Sequence, residues 1–140
     1  MPEESATPDP VELARRVEDA GNRRDIDEVL SFFAPDAVWD ISPMDMGIFE
    51  GRDAIRRFLE DWLRAYDDLA SETEEVRDLG GGVGLQVFTQ RGHPIGSTGE
   101  VHQRSARVVL MVDGLITRLT SYTDIDEAGA AAERLAQERG

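Results

Sequence analysis

The chain of 140 residues has no cysteine and no lysine; all fifteen of its cations are arginine. Without cysteine there are no disulfides, no thiolate nucleophile and no thiolate metal site. Without lysine there is no Schiff-base chemistry and no covalent pyridoxal chemistry. No apolar run approaches the roughly 18 residues of a membrane span. The Met1 end shows no basic stretch followed by an apolar one, so no secretory signal is read and a cytoplasmic location is expected. Positive charge is also short. A net charge of −14 repels phosphate backbones and anionic lipid, so neither nucleic acid nor membrane is an expected partner.

What remains is a chain of single-domain length whose elements can be read from period and punctuation. Residues 1–7 read as a disordered tail. Asp9-Pro10-Val11-Glu12 is a helix start: a capping carboxylate, a proline in the first turn and a glutamate three residues on. Leu13, Val17 and Ala20 form its apolar stripe, and Gly21 ends it. A second short helix starts near Asp25, with Ile26, Val29, Leu30 and Phe33 on its face. Residues 37–42 read as a strand. From Arg52 to about Leu69, the residues Ile55, Phe58, Leu59, Trp62, Leu63 and Tyr66 recur at helical spacing, while arginines and carboxylates hold the other face. Period two then takes over. Strands are expected near 73–79, 83–91, 98–112 and 115–123, with tight turns at Gly80-Gly81-Gly82 and Asp113-Gly114. A terminal helix begun by Asp124 runs to Gly140. Helices segregated to one face of an antiparallel sheet imply an α+β domain, with the bent sheet wrapped around the long amphipathic helix.

Four phrases carry a resemblance. They are Asn22-Arg23-Arg24-Asp25-Ile26-Asp27, Phe33-Ala34-Pro35-Asp36-Ala37-Val38-Trp39-Asp40, Phe49-Glu50-Gly51-Arg52-Asp53-Ala54-Ile55 and Asp113-Gly114-Leu115-Ile116-Thr117-Arg118-Leu119. In this order the chain resembles the nuclear transport factor 2-like superfamily, and within it the SnoaL-like polyketide cyclase branch. The resemblance implies a cone-shaped, strongly bent mixed sheet, a cystatin-like α+β barrel, over residues 8–128, with residues 129–140 as a helix packing on or extending from it. The fold hosts isomerases, cyclases, dehydratases and plain binding modules, so it implies no one activity. Ketosteroid isomerase is similar over the same phrases, but its chemical groups are not kept. Its first-helix tyrosine matches Val17, its aspartate base falls on Ile41 or Ser42, and its protonated aspartate falls on Arg107. The last-strand carboxylate of limonene epoxide hydrolase falls on Ser121.

Chemistry is therefore sought in other groups. Alternation along 98–112 puts Gln103, Ser105, Arg107, Val109 and Met111 on one face and His102, Arg104, Ala106, Val108, Leu110 and Val112 on the other. Pattern alone does not say which faces inward; the resemblance implies that the Arg107 face does. An inward guanidinium is costly unless paired, and Asp40 is its expected partner. Shielded by Trp39, Met44 and Trp62, Asp40 would serve as an acid or base; paired with Arg107 it would stay ionised; alternation also lets it face water. Asp40 and Arg107 are the expected catalytic residues. The expected ligand-binding set is Trp39, Ser42, Met44, Met46, Phe58, Trp62, Tyr66, Gln103, Val109 and Ser121. His93 and His102, even with Glu100, lack metal-ligand spacing, so no metal is expected, nor any cofactor. The outer sheet face would be apolar, and the resemblance implies a homodimer through Val108, Leu110 and Tyr122. Two readings stand together: a metal-independent cyclase, isomerase or lyase for an apolar ring compound, and a non-catalytic ligand-binding or dimerisation module.

Overall fold

The computed structural model describes residues 9–139. The segment read as a tail, and Gly140, lie outside them. Two helices open the fold, α1 (Pro10–Asn22) and α2 (Ile26–Ser31). The capping logic holds at both starts: Asp9 accepts from the Glu12 amide at 2.8 Å and Asp25 from the Glu28 amide at 3.1 Å. Next come β1 (Phe33–Asp40), a 3-10 turn over Ser42–Met44, β2 (Ile48–Glu50) and α3 (Arg52–Arg64). Four long strands follow, β3 (Ala70–Gly80), β4 (Val83–Gly92), β5 (Val101–Val112) and β6 (Leu115–Tyr122), and then α4 (Ile125–Arg139).

The strands form one mixed sheet in the order β2-β1-β6-β5-β4-β3, curled but not closed. β1 runs parallel to β6; every other neighbour pair is antiparallel. Strand β2 was not expected. Three residues are too few for alternation to register, and Ile48–Glu50 is a strand because β1 offers Val38–Asp40 as a partner. β1 itself begins earlier than expected, at Phe33, which pairs with Ile116 before the register slips ahead of Val38. The slip carries Pro35, which cannot donate to a ladder.

α3 stops at Arg64, five residues short of the expected Leu69. The backbone beyond it is claimed by other elements. Arg24 donates to the carbonyls of Leu63, Tyr66 and Asp67, the Asp67 amide donates to His93, and the Ile95 amide donates to Ala65. These bonds give the carbonyls at the helix end partners they would otherwise lack.

The core divides into two clusters, one on each side of the sheet. On the concave side Leu13, Ala20, Val29, Leu30 and Ile55 from the first three helices meet Phe33, Trp39, Ile116 and Leu119 from the strands. α1 lies so close to β4 that a Cβ on Gly84 would stand 2.6 Å from Pro10 Cβ. On the convex side Val83, Leu85, Val87, Ala106 and Val108 pack under Ala128 and Ala132 of α4. The helices are thus not segregated to one face. Of the expected dimer surface, Val108 is 5% exposed beneath this chain's own α4, while Leu110 and Tyr122 are half-buried at the margin of the same cluster. Small alanines let that helix sit low on the sheet. Ala132→Glu puts an unpaired carboxylate into this seam and is expected to cost roughly 3–5 kcal/mol, read as a fall in the urea midpoint with α4 helicity lost from the circular dichroism.

Candidate functional site

Along α3, Ile55 is buried, whereas Phe58, Leu59, Trp62 and Leu63 are only half-buried. Their stripe faces a hollow. The cavity holds about 120 Å³ and lies between α1, α2 and α3 on one side and the concave sheet on the other. Its apolar wall combines Phe33, Trp39, Met44, Met46, Phe58 and Trp62. The aromatic rings form a run. Trp39 meets Phe58 edge-on at 5.1 Å, Phe58 stacks on Trp62 at 5.9 Å, and Trp62 meets Tyr66 at 5.4 Å. Such rings supply large apolar area in fixed orientations. Trp39 is itself fixed by its indole N–H, which donates to Ser121 Oγ at 3.0 Å.

Arg107 enters this hollow from β5. Its guanidinium carbon lies 4.0 Å from the centroid of Phe88 and 5.6 Å from that of Trp39. Its Nε is sealed from solvent with no hydrogen-bond partner, and it makes no ion pair with any described residue. Burial pushes the Arg107 pKa well below the ordinary guanidinium range, to about 10, opposed in part by the charge of Glu18. It stays a cation at neutral pH, held by two ring faces rather than by a carboxylate.

The expected Asp40–Arg107 pair is not formed. Asp40 stands at the end of β1, outside the cavity wall, and accepts from Arg118 Nη2 at 2.8 Å. Its other oxygen accepts from the Ser42 amide at 2.9 Å and the Ser42 hydroxyl at 2.6 Å. Burial alone would raise the Asp40 pKa, but the Ser42 and Arg118 bonds outweigh it and hold the carboxyl below its ordinary 3.8. The parallel β1–β6 pairing makes this match, because it sets Val38 opposite Arg118 and Asp40 opposite Thr120. Arg118, a residue of the last resemblance phrase, thus takes the place beside Asp40 that was expected of Arg107.

The other expected residues divide. Trp39, Met44, Met46, Phe58, Trp62 and Ser121 line the hollow. Ser42 is exposed and serves Asp40; Gln103 is exposed near the start of β5. Tyr66 meets Trp62 at a tilt of 53° from outside the wall, and Val109 borders a smaller cavity of about 30 Å³ under α1. Among the wall residues outside the expected set, Phe88, Gln90 and Glu18 bear most on the chemistry. Alternating β4 as Gly84, Gln86, Phe88 and Gln90 would have found the first two. Glu18 is held by Thr73 Oγ1 at 2.8 Å and Ser71 Oγ at 3.3 Å. Gln86, buried among these groups, donates in turn to Thr73 Oγ1 at 2.9 Å.

This geometry meets the comparisons with known proteins. The model of the SnoaL-like domain matches residues 14–119. The chain belongs to the SnoaL-like family. A search of curated proteins finds no match. Among solved structures, the SnoaL-like fold is shared with an NTF2-like protein of unknown function from Burkholderia pseudomallei. That protein is 20% identical, with 88% of this chain and 96% of the other covered and a TM-score of 0.72. TerC, co-crystallised with polyporic acid, is 19% identical over 89% of this chain and 98% of its own, with a TM-score of 0.71. RV0760c from Mycobacterium tuberculosis, in complex with estradiol-17beta-hemisuccinate, is 17% identical over 84% and 95%, with a TM-score of 0.71. At these identities the likeness establishes the fold of the domain, not its chemistry. Among the described residues no helix is long and apolar enough to cross a membrane.

The Asp40 geometry has a pH signature. A carboxyl whose folded pKa is depressed adds stability that is present above the unfolded value and lost as pH falls through the folded one. Asp40→Asn is expected to cost about 1 kcal/mol at pH 7. That gap from the parent chain should narrow progressively as pH falls below 3.8, as read by parallel urea titrations at pH 7 and at a series of values below 3.8.

Proposed function

We propose that this SnoaL-like domain binds an apolar ring compound carrying one anionic group, a carboxylate or enolate, which docks against Arg107. One observation carries the reading: a buried guanidinium with an unpartnered Nε, projecting into a cavity walled by aromatic and methionine side chains. A buried cation is tolerated when something pairs with it, and no described residue does. The rings of Phe88 and Trp39 contact Arg107 without hydrogen-bonding it, and its planar fork suits a carboxylate. The wall supplies the apolar contact that most of a small ligand's surface requires. Two proteins of the same fold were crystallised with ligands whose names denote acids, polyporic acid and a hemisuccinate, which supports an acidic ligand here.

The acid–base role expected of Asp40 passes out of the proposal. It is held ionised outside the hollow, so it has no proton to give and no path to a ligand. The binding reading needs no such group. A cyclase, isomerase or lyase would need proton transfer from another residue of the wall.

The test separates binding from folding. Isothermal titration with 2-naphthoate, with its neutral methyl ester as control, measures the anion contact. Arg107→Met keeps the volume and removes the charge. The expected result is a loss of at least about tenfold in affinity for the acid and little change for the ester. Removing an unpaired buried cation should also stabilise the chain by about 1 kcal/mol, raising the thermal midpoint by roughly 3–5 °C. Unchanged acid binding, or a stability loss that accounts for the binding loss, would refute the proposal.

A further inference from the structure

Glu18 is a carboxylate placed in the same cavity as Arg107, yet the two do not pair. Both line the hollow, and Glu18 is close enough for its charge to act on Arg107. The space between them has a charged group on either side, and the neutral polar side chains Gln90, Ser105 and Ser121 share the wall with the aromatic and methionine groups. Glu18 is also held asymmetrically. Both of its protein hydrogen bonds, from Thr73 Oγ1 and Ser71 Oγ, arrive at Oε2. Oε1 accepts from no described residue. Behind Thr73 stands Gln86, whose amide fixes the threonine hydroxyl so that its proton points to Glu18. The relay links β4, β3 and α1 and orients the carboxylate from behind. The other carboxylate of the wall is not free in this way. Asp25 accepts the Glu28 amide on Oδ1 and lies 3.6 Å from Arg23 through Oδ2.

A carboxylate with one anchored and one free oxygen is an acceptor awaiting a donor. We infer that Glu18 reads a hydrogen-bond donor on the ligand, so that the pocket takes hydroxylated ring acids: the anion on Arg107 and a ring hydroxyl donating to Glu18 Oε1. This rests on the anion reading proposed above and narrows it to a substrate class. The two poles act as a filter. A hydroxyl answers Glu18 at one end; a second anionic group there would be repelled. A site built to bond a hydroxyl discriminates against the analogue that lacks it, because its own group is then left unpaired. Glu18 is thus a specificity residue. Its position on α1, one residue after Val17, falls beside the place where the isomerase resemblance would look for a tyrosine donor, and its polarity is the reverse: it accepts.

The experiment compares 2-naphthoate with 6-hydroxy- and 7-hydroxy-2-naphthoate by isothermal titration, on the full chain. The quantity read is the affinity ratio of the better hydroxy acid to the parent acid. This ratio cancels general effects on folding or on the anion contact. The expected ratio is about tenfold or more, as for a hydrogen bond to a charged group. In Glu18→Gln it should fall to within about threefold of unity, and in Thr73→Val, which frees Glu18 from its anchor, it should fall part of the way. In Arg107→Met both acids should weaken together with the ratio kept. A ratio near one in the parent chain, or one untouched by Glu18→Gln, overturns the Glu18 inference while leaving the anion reading standing. Acid affinity unaffected by Arg107→Met, or no binding of any of the three acids at millimolar concentration, overturns both.

Discussion

The centre of this sheet is covered on both faces, and the rest of the structure depends on that. β4 and β5 carry one set of side chains beneath α4 and the alternate set into the hollow. A strand has a period of two, so a slip of one residue would exchange the two sets. The exchange would put Val108 into the cavity and the Arg107 guanidinium under the alanines of α4. Register is therefore set from both sides at once. Val83, Leu85, Val87, Ala106 and Val108 answer to the α4 seam, and they place Gln86, Phe88, Ser105 and Arg107 inward as a consequence.

The inward set is where the fold gives up stability for chemistry. Phe88 and Trp39 face the guanidinium of Arg107 and compensate part of its desolvation. No carboxylate among the described residues completes the compensation. Glu18 stands in the same space but is tied back to Thr73 and Ser71. A cation and an anion kept apart in one cavity form a field with two poles. A ligand of matching polarity gains from both without either having to be stripped from an existing partner. Asp40 shows the opposite solution. Fully engaged by Arg118 and Ser42, it stitches β1 to β6 and has little left to offer a ligand.

Much of this was legible from the chain. The capping carboxylates Asp9, Asp25 and Asp124 announced three helix starts, and each accepts the amide three residues on. The glycine turns and period-two runs located the four long strands. The stripe Phe58, Leu59, Trp62 placed one wall of the cavity, since an amphipathic face must turn to something. The misses share a cause. β2 exists because β1 pairs with it, α3 ends where Arg24 and the His93–Ile95 loop take its backbone groups, and the convex face is closed by α4. None of these is a property of the segment in which it occurs.

Composition and local period thus determined the kinds of element, their order and the chemistry that is excluded: no thiol, no lysine, no attraction to phosphate. They also determined that Arg107 shares a strand face with Ser105 and Val109. Tertiary structure alone decided the partners. Asp40 lies 78 positions from Arg118, and Glu18 lies 55 from Thr73. Such pairs are made by sheet register and helix docking, and charge is indifferent to sequence distance: any arginine or threonine brought within 3 Å would serve. The chain specifies which groups carry charge, and the fold specifies which of those charges is left without a partner.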